Sequence, residues 1–288
     1  MTLNDLFENY YRPLKLRSRS AATSRLYGCT IRSYARFLEH EPTLEDLDDL
    51  QLSRFLERRA RDRSPFTAEK ERTQLCSLWR FASDRRLKDT RPCVPPSVLP
   101  ERIPTAWTAD QLRHLVSIAG AMPGTVGGVP SGVFWQCLIS VLYESAERVG
   151  AVLATTVSDW SGPRLLARAE YRKGGKRDRL HILSQHTCGL VDRMCAGKKA
   201  GDKIFVWDRA PTHLWCRFGD VVKKAGLDNG RRSKFHQLRR CAATLYTAAG
   251  GNATSLLDHS SPRVTKAYID VRLIDQGVPA CDVLPRIN

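Results

Sequence analysis

The chain has 288 residues, of which 42% are hydrophobic and 8% aromatic, and it carries 46 Lys and Arg against 30 Asp and Glu, a net charge of +16. This composition is typical of a folded protein and excludes a disordered tail, and the length allows two domains with separate cores. The basic excess favours nucleic acid over a membrane surface as partner, because no membrane-spanning apolar run, terminal basic amphipathic helix or lipidation motif is present. The nine cysteines form no C-x-x-C pair, which argues against zinc and predicts reduced thiols. Without an export signal, we expect a cytoplasmic protein.

The first hundred residues are predicted to be helical and to end in a linker. Apolar residues recur at helical spacing over 21–38, a second helix is predicted from Thr43, and a third from Thr67 after a break at Ser64-Pro65. Four prolines within residues 89–100 cannot continue a helix and predict an extended segment. The predicted boundaries are a helical domain over 1–88, a linker over 89–103 and a second domain over 104–288.

The second domain is predicted to be mainly helical with one hairpin. Thr108-Ala-Asp-Gln111 is a capping-box pattern that predicts a helix to about Ile118, and the apolar run 133–143 predicts a central buried helix. Two short strands are predicted on either side of the basic tip Lys173-Gly-Gly-Lys176. The strands cover 165–169 and 179–183, and further helices are predicted over 187–195, 214–225, 235–249 and from 262 onward.

Polar residues at fixed spacings stand out in this second domain. An arginine follows the central helix, a histidine precedes an arginine by three residues, and a tyrosine follows another histidine by nine. In this order the set resembles the active site of the tyrosine recombinase (phage integrase) family, with the hairpin lysine between the first arginine and the first histidine. The resemblance covers the whole chain and is most specific in the last fifty residues. The matching residues are Arg148, Lys173, His236, Arg239, His259 and Tyr268.

The resemblance implies DNA cleavage without a metal or ATP. Tyr268 would be the nucleophile and Lys173 the general acid, and two planar, always charged guanidiniums suit the charge that develops on phosphate oxygens. A 3′-phosphotyrosyl intermediate and strand exchange through a Holliday junction follow from the family. Its fold would be mainly α with a small β-sheet, arranged as a helical core-binding domain and a mixed catalytic domain that clamp duplex DNA. Such a protein would be a monomer when free and a homotetramer on synapsed double-stranded DNA, with no membrane association.

Several residues admit a second interpretation from the sequence alone. Arg148 could pair with Glu144 one helical turn earlier, and Arg240 lies as close to His236 along a helix as Arg239 does. Lys176 competes with Lys173 as the general acid. His236 could be an ordinary helix-terminal histidine.

His259 and Tyr268 also have ordinary interpretations, as an exposed loop histidine and an amphipathic core residue. However, His259-Ser-Ser-Pro262 has the form of a helix start, with Ser261 as the cap and Pro262 at the first helical position. A histidine at a helix N-terminus is suited to phosphate, and Tyr268 is then expected about two turns into the helix.

Two departures from the family pattern concern the surroundings of the site. Ala151 stands where the family has an acidic residue three positions after the first arginine, and Glu144 or Glu147 is expected to substitute. The stretch between His236 and His259 is about three residues short, so that 250–252 should form a tight turn. Asp258 replaces the usual glycine before His259.

Basic residues outside the site are candidates for contact with the DNA backbone. They are Arg25, Arg32, Arg36, Lys176, Arg231, Arg232, Lys234 and Arg240. The apolar tail after Tyr268 is expected to pack on a neighbouring protomer. A type IB topoisomerase and a catalytically silent DNA-binding regulator of the same fold are the alternative functions.

Overall fold

The protein is described by a computed structural model that covers residues 1–17, 21–172, 174, 177–227 and 234–274. The chain forms two compact units, Met1–Glu101 and Arg102–Asn288. The division falls within the segment 89–103 that the prolines mark as a linker. The fold is mostly helical with small antiparallel sheets, which confirms the predicted fold class.

The two long helices over residues 49–62 and 65–84 of the first unit begin at polar caps. The Asp48 carboxylate accepts hydrogen bonds from the amides of Leu50 and Gln51, and the Ser64 hydroxyl accepts one from the amide of Thr67. The helices are α1 Leu3–Asp5, α2 Arg12–Lys15, α3 Ala21–Leu38, α4 Asp49–Asp62 and α5 Pro65–Asp84, with a π-helical turn Leu6–Tyr11 between α1 and α2.

Two predicted helix starts in this unit are wrong. The Asp46 carboxylate accepts hydrogen bonds from both the amide and the hydroxyl of Thr43, which makes a local turn, and α4 starts only at Asp49. The third helix starts at Pro65, two residues before the predicted start, because proline is compatible with the first helical position. The boundaries of α3 agree with the prediction.

The core of the first unit lies between α3, α4, α5 and the N-terminal helical residues 3–15. The predicted apolar stripe of α5 is buried, including Leu75 and Trp79. The Trp79 indole Nε1 donates a hydrogen bond of 2.7 Å to the carbonyl oxygen of Thr90, which fixes the start of the extended segment to α5. Residues 88–100 contain neither helix nor strand, as the four prolines predict.

The second unit is built around one central helix. Its elements are α6 Ala109–Gly120, β1 Thr125–Val126, β2 Val129–Pro130, α7 Ser131–Ser145, α8 Val149–Val152, β3 Trp160–Ser161, β4 Arg164–Ala167, β5 Arg179–Ile182, α9 Gln185–Cys195, α10 Pro211–Lys224, α11 Lys234–Ala248, α12 Ala253–Leu257 and α13 Pro262–Lys266. Short 3-10 turns occur at Val157–Asp159, Ala169–Tyr171 and Val271–Leu273. The capping box at Thr108 and the burial of α7 agree with the predictions.

Helix α7 packs against α6, α9 and α11, which places its C-terminal end near the middle of the unit. Gly132 permits the close approach at the other end, because an added Cβ would collide with the backbone carbonyl of Gly120. Of the polar residues that follow α7, Glu147 is therefore buried and Arg148 is partly exposed.

The predicted hairpin is present as part of a three-stranded antiparallel sheet in the order β3-β4-β5. Leu165 pairs with His181 and Leu166 with Leu180, so that Leu165 and His181 face the interior. The competing lysines Lys173 and Lys176 lie outside the described residues.

The chain after α11 differs from the prediction at two points. Gly250, with a φ of 82°, ends α11 as expected, but the chain then forms the short helix α12, which was not predicted. Helix α13 ends at Lys266, so that Tyr268 lies in the turn after it and not two turns into a helix. None of the helices in the described ranges has the length and apolar composition needed to cross a bilayer.

Candidate active site

The turn after α7 positions Arg148. The helix ends at Ala146, which adopts a left-handed conformation with a φ of 51°, and Arg148 then occupies the N-cap position of α8. Glu144 does not extend along the helix to pair with Arg148. Its carboxylate instead accepts hydrogen bonds from the hydroxyls of Ser184 and Thr187, at 2.8 and 2.6 Å, and so binds the N-cap residue of α9, Ser184.

Arg239 lies at the bottom of the site and is only 2% exposed. Its guanidinium donates hydrogen bonds to the carbonyl oxygens of Ala146 and Leu257, the latter at 2.6 Å. Burial, followed by the positive charge of Arg148, lowers the pKa of Arg239 to about 10. The two guanidiniums are therefore close enough to repel each other, and an anion bound beside them would relieve this repulsion.

Tyr268 lies over this arginine and next to the first histidine. The centroid of its ring is 5.7 Å from the guanidinium carbon of Arg239, and its hydroxyl lies 2.9 Å from Nε2 of His236. When Nε2 is unprotonated, it can accept the phenolic proton. The backbone amide of Tyr268 donates to the carbonyl oxygen of Thr265 at 2.8 Å, which closes the turn after α13.

His259 also lies beside the tyrosine ring, with the two ring centroids 4.9 Å apart. The Thr254 hydroxyl donates to the Thr265 hydroxyl, so the Thr265 proton is free to point to Nδ1 of His259, 3.1 Å away. In that arrangement Nε2 of His259 carries the proton and can donate to a phosphate oxygen. Burial, then the charges of Arg239 and Arg148, lower the pKa of His259 below its usual value.

The structure thus brings together five of the six residues of the predicted set. These five residues are a tyrosine, two histidines and two arginines. They lie on α11 and in the turns that follow α7, α12 and α13. Thr265 was not recognised in the sequence, because a threonine in a short helix has no distinctive pattern. The members brought together are Arg148, His236, Arg239, His259 and Tyr268.

Glu147 is buried in the second unit, next to the site. Its carboxylate binds Arg172 at 2.8 Å and lies 3.4 Å from Nε2 of His181. Burial opposes ionisation of this carboxyl, but the His181 imidazole and the Arg172 guanidinium outweigh it and lower the pKa of Glu147 to about 2. Ala151, at the position where the family pattern has an acid, is buried in α8. Arg172 and His181 were not singled out in the sequence, since neither belongs to a motif.

The predicted DNA-contacting residues lie in different parts of the chain. Arg25, Arg32 and Arg36 are exposed on α3 of the first unit, and Arg25 and Arg32 line a cavity of about 690 Å³ beside the N-terminal helical residues. Lys234 and Arg240 are partly exposed on α11 of the second unit. Arg231 and Arg232 fall outside the described residues. No group of three His, Cys, Asp or Glu side chains within the described ranges could hold a metal ion.

Two guanidiniums, two imidazoles and a phenol lie together here, and only Arg239 among them is fully buried. Groups of these kinds can stabilise and attack a phosphate. The model of the phage integrase family matches residues 106–273, and the chain therefore belongs to this family of tyrosine-type site-specific recombinases. Comparison with curated protein sequences finds no match.

Solved structures with the same fold cover nearly the whole chain. A lambda integrase dimer bound to a COC′ core site has a TM-score of 0.74 and 18% identity over 97% of this chain and 100% of that chain. A lambda integrase tetramer bound to a Holliday junction has a TM-score of 0.72 and 18% identity over 97% of this chain and 80% of that chain. The Tn1549 transposon integrase in complex with circular intermediate DNA has a TM-score of 0.72 and 14% identity, over 96% of each chain.

Proposed function

We propose that this protein cuts and rejoins double-stranded DNA at specific sites, with Tyr268 as the nucleophile. The observation that carries the proposal is the 2.9 Å contact between the Tyr268 hydroxyl and Nε2 of His236, directly above the buried guanidinium of Arg239. A tyrosine that served only to fill the core would not need a base at its hydroxyl and a cation beneath its ring.

The geometry supports a balanced exchange of phosphate esters. The Tyr268 oxygen attacks the scissile phosphorus and gives its proton to His236, while the bond from phosphorus to the 5′ oxygen breaks. Arg148, Arg239 and His259 stabilise the charge on the nonbridging oxygens, and the departing 5′ oxygen takes a proton from a general acid. The resemblance to the family gives that role to Lys173, with Lys176 as the competing residue.

Rejoining is the reverse reaction with a different hydroxyl. A 5′-hydroxyl of the partner duplex attacks the 3′-phosphotyrosyl bond and releases Tyr268, so that no phosphoester bond is lost and no ATP is consumed. Since similar integrases are seen as a dimer on a core site and as a tetramer on a Holliday junction, we infer a homotetramer on synapsed DNA as the active assembly. We place this activity on DNA in the cytoplasm.

The proposal is tested by trapping the covalent intermediate. The substrate is a library of randomised duplexes with a nick near the scissile position. When the enzyme cuts beside the nick, the short 5′-hydroxyl fragment diffuses away and cannot be rejoined. The cut DNA therefore remains covalently attached to the enzyme. Sequencing of the DNA that survives denaturation identifies the site, and peptide mapping identifies the attached residue. We expect the adduct at Tyr268, none with Tyr268→Phe, and a normal yield with Tyr246→Phe, which changes an exposed tyrosine of α11.

Other outcomes assign the protein to the alternative functions. An adduct that persists in Tyr268→Phe would refute the nucleophile assignment. DNA binding without any adduct would indicate a silent regulator of the same fold. Religation of the original strand, with no transfer to an added 5′-hydroxyl strand from a second duplex, would indicate a topoisomerase.

A further inference from the structure

Two carboxylates immediately precede proposed catalytic residues, and one buried arginine connects them. Glu147 precedes Arg148, and Asp258 precedes His259. Nε of Arg172 donates to Oε1 of Glu147 at 2.8 Å, and Nη2 of Arg172 donates to Oδ2 of Asp258 at 2.9 Å.

The connection is a built feature of the interior rather than a surface ion pair. The Arg172 side chain is 4% exposed and that of Glu147 is 2% exposed. Nη1 of Arg172 donates to the carbonyl oxygen of Arg177 at 3.0 Å, so that all three guanidinium nitrogens are engaged. A rigid planar fork in this position fixes the direction as well as the distance of both carboxylates.

The backbone at Asp258 points to a role for the carboxylate itself. Asp258 has a φ of 53° and a ψ of 45°, the left-handed region that glycine adopts without cost and that Asp and Asn tolerate best among other residues. Glycine would therefore satisfy the turn alone. What aspartate adds is the ionic contact with Arg172 and a second one with Arg177, at 3.0 Å.

The same two stretches of chain are also joined by Arg239. We define them as the two active-site segments, residues 146–148 and 257–259. Arg239 binds the carbonyl oxygen of the first residue of each segment, Ala146 and Leu257. Arg172 binds the side chain of the second residue of each, and the third residues are Arg148 and His259.

We propose that Glu147, Arg172 and Asp258 are positioning residues that set the placement of Arg148 relative to His259 around the scissile phosphate. This inference rests on the proposed function. Arg239 holds the two active-site segments through their backbones and also acts on the phosphate, whereas Arg172 holds them through their side chains and has only the positioning role.

The experiment measures the placement of Arg148 through the charge it stabilises. The probes are the nicked duplex selected by trapping and the same duplex with a neutral methylphosphonate at the scissile position. Arg172→Gln and Asp258→Gly should lower the single-turnover rate of adduct formation on phosphate by about tenfold or more, since small displacements of catalytic groups cost this much. The DNA concentration for half-maximal rate should stay within about twofold. On methylphosphonate the loss should be several-fold smaller, because less charge then needs stabilising.

Two further variants separate positioning from general damage. Asp258→Asn keeps a left-handed-tolerant residue and one acceptor oxygen for Arg172, and its rate should lie nearer the wild type than that of Asp258→Gly. Arg59→Gln removes an ion pair with a buried carboxylate in the first unit, where Arg59 binds Glu71 at 2.7 Å. It should lower the urea midpoint but leave the ratio of phosphate to methylphosphonate rates unchanged. The positioning role is overturned if Arg172→Gln loses the same factor on both substrates, or none on either.

The connection of Glu147 and Asp258 through Arg172 is tested without DNA. In the wild-type background Asp258→Asn should lower the urea midpoint of the second unit, and in the Arg172→Gln background the loss should be smaller, since only the contact with the exposed Arg177 side chain is then removed. An equal decrease in the urea midpoint in both backgrounds would refute the connection through Arg172. If the wild-type protein forms no adduct, the proposed function and the positioning role both fail, while this cycle still reports whether Arg172 joins the two carboxylates.

Discussion

Replacement of Glu147 by glutamine should remove much of the acid sensitivity of the second unit. The pKa of Glu147 lies near 2 in the folded protein against a usual value of 4.5. Because each pKa unit corresponds to about 1.4 kcal/mol, the ionised carboxylate stabilises the fold by about 3 kcal/mol. A lowered folded-state pKa gives stability that is fully present above pH 4.5 and is lost as the pH falls through the folded-state value near 2. Glutamine cannot ionise, and it also leaves Arg172 with Asp258 as its carboxylate partner.

Urea unfolding between pH 7 and pH 3 measures this contribution. Tryptophan fluorescence reports mainly on the second unit, since Trp107, Trp135 and Trp207 belong to it. The free energy of unfolding of the wild type should exceed that of Glu147→Gln by about 3 kcal/mol at pH 7 and by only about 1 kcal/mol at pH 3. Asp110→Asn, which changes a carboxylate whose side chain is 90% exposed, serves as the control and should follow the wild type at every pH. A wild-type advantage that stays constant between pH 7 and pH 3 would refute the reasoning.

Three further predictions concern DNA. Replacing Arg25, Arg32 and Arg36 together by alanine should reduce the slope of log affinity against log salt by up to about 3, measured by fluorescence anisotropy; an unchanged slope would place the backbone contacts elsewhere. Arg148→Ala should bind the selected duplex normally but form the adduct at least about a hundredfold more slowly in single-turnover assays. A loss of DNA affinity as large as the loss of rate would argue against a transition-state role. Truncation after Ile274 should preserve binding to one site and abolish the tetramer on synapsed DNA, as seen by light scattering, and full assembly would confine the tail to local packing.

Most of the fold could be predicted because hydrophobic periodicity and caps act locally. The boundaries of α3 follow from its apolar spacing, and the start of α6 follows from the capping box at Thr108. The start of α4 could not be predicted in the same way. Thr43 has the composition of a helix cap, but the Asp46 side chain competes for its amide, and the sequence does not show which of two caps succeeds.

The site could be predicted as a set of residues but not as a geometry. The resemblance to the family singles out Tyr268 and His259, yet the predicted helix that was to contain the tyrosine ends two residues before it. The buried contacts of Glu147 with Arg172 and His181 join residues far apart in the chain, and each of these residues has an ordinary solvent-exposed interpretation in the sequence. Long-range pairs of this kind depend on how α7 and the sheet pack, which is decided only by the complete fold.

The position of Tyr268 outside a helix has a consequence for how the nucleophile is held. Its carbonyl oxygen accepts a hydrogen bond from the Thr244 hydroxyl at 3.3 Å, and two residues later the Asp270 carboxylate accepts one from the amide of Ala106 at 2.9 Å. Asp270 also donates its own amide to Thr244 at 2.9 Å and forms an ion pair with Arg272 at 2.8 Å. The tyrosine is thus held by a turn anchored to α11 and to the segment that precedes α6, whereas Arg239 is fixed within a helix. Because a turn held by a few polar contacts is more readily displaced than a packed helix, we expect a change in the chain beyond Asp270 to displace Tyr268 more readily than Arg239.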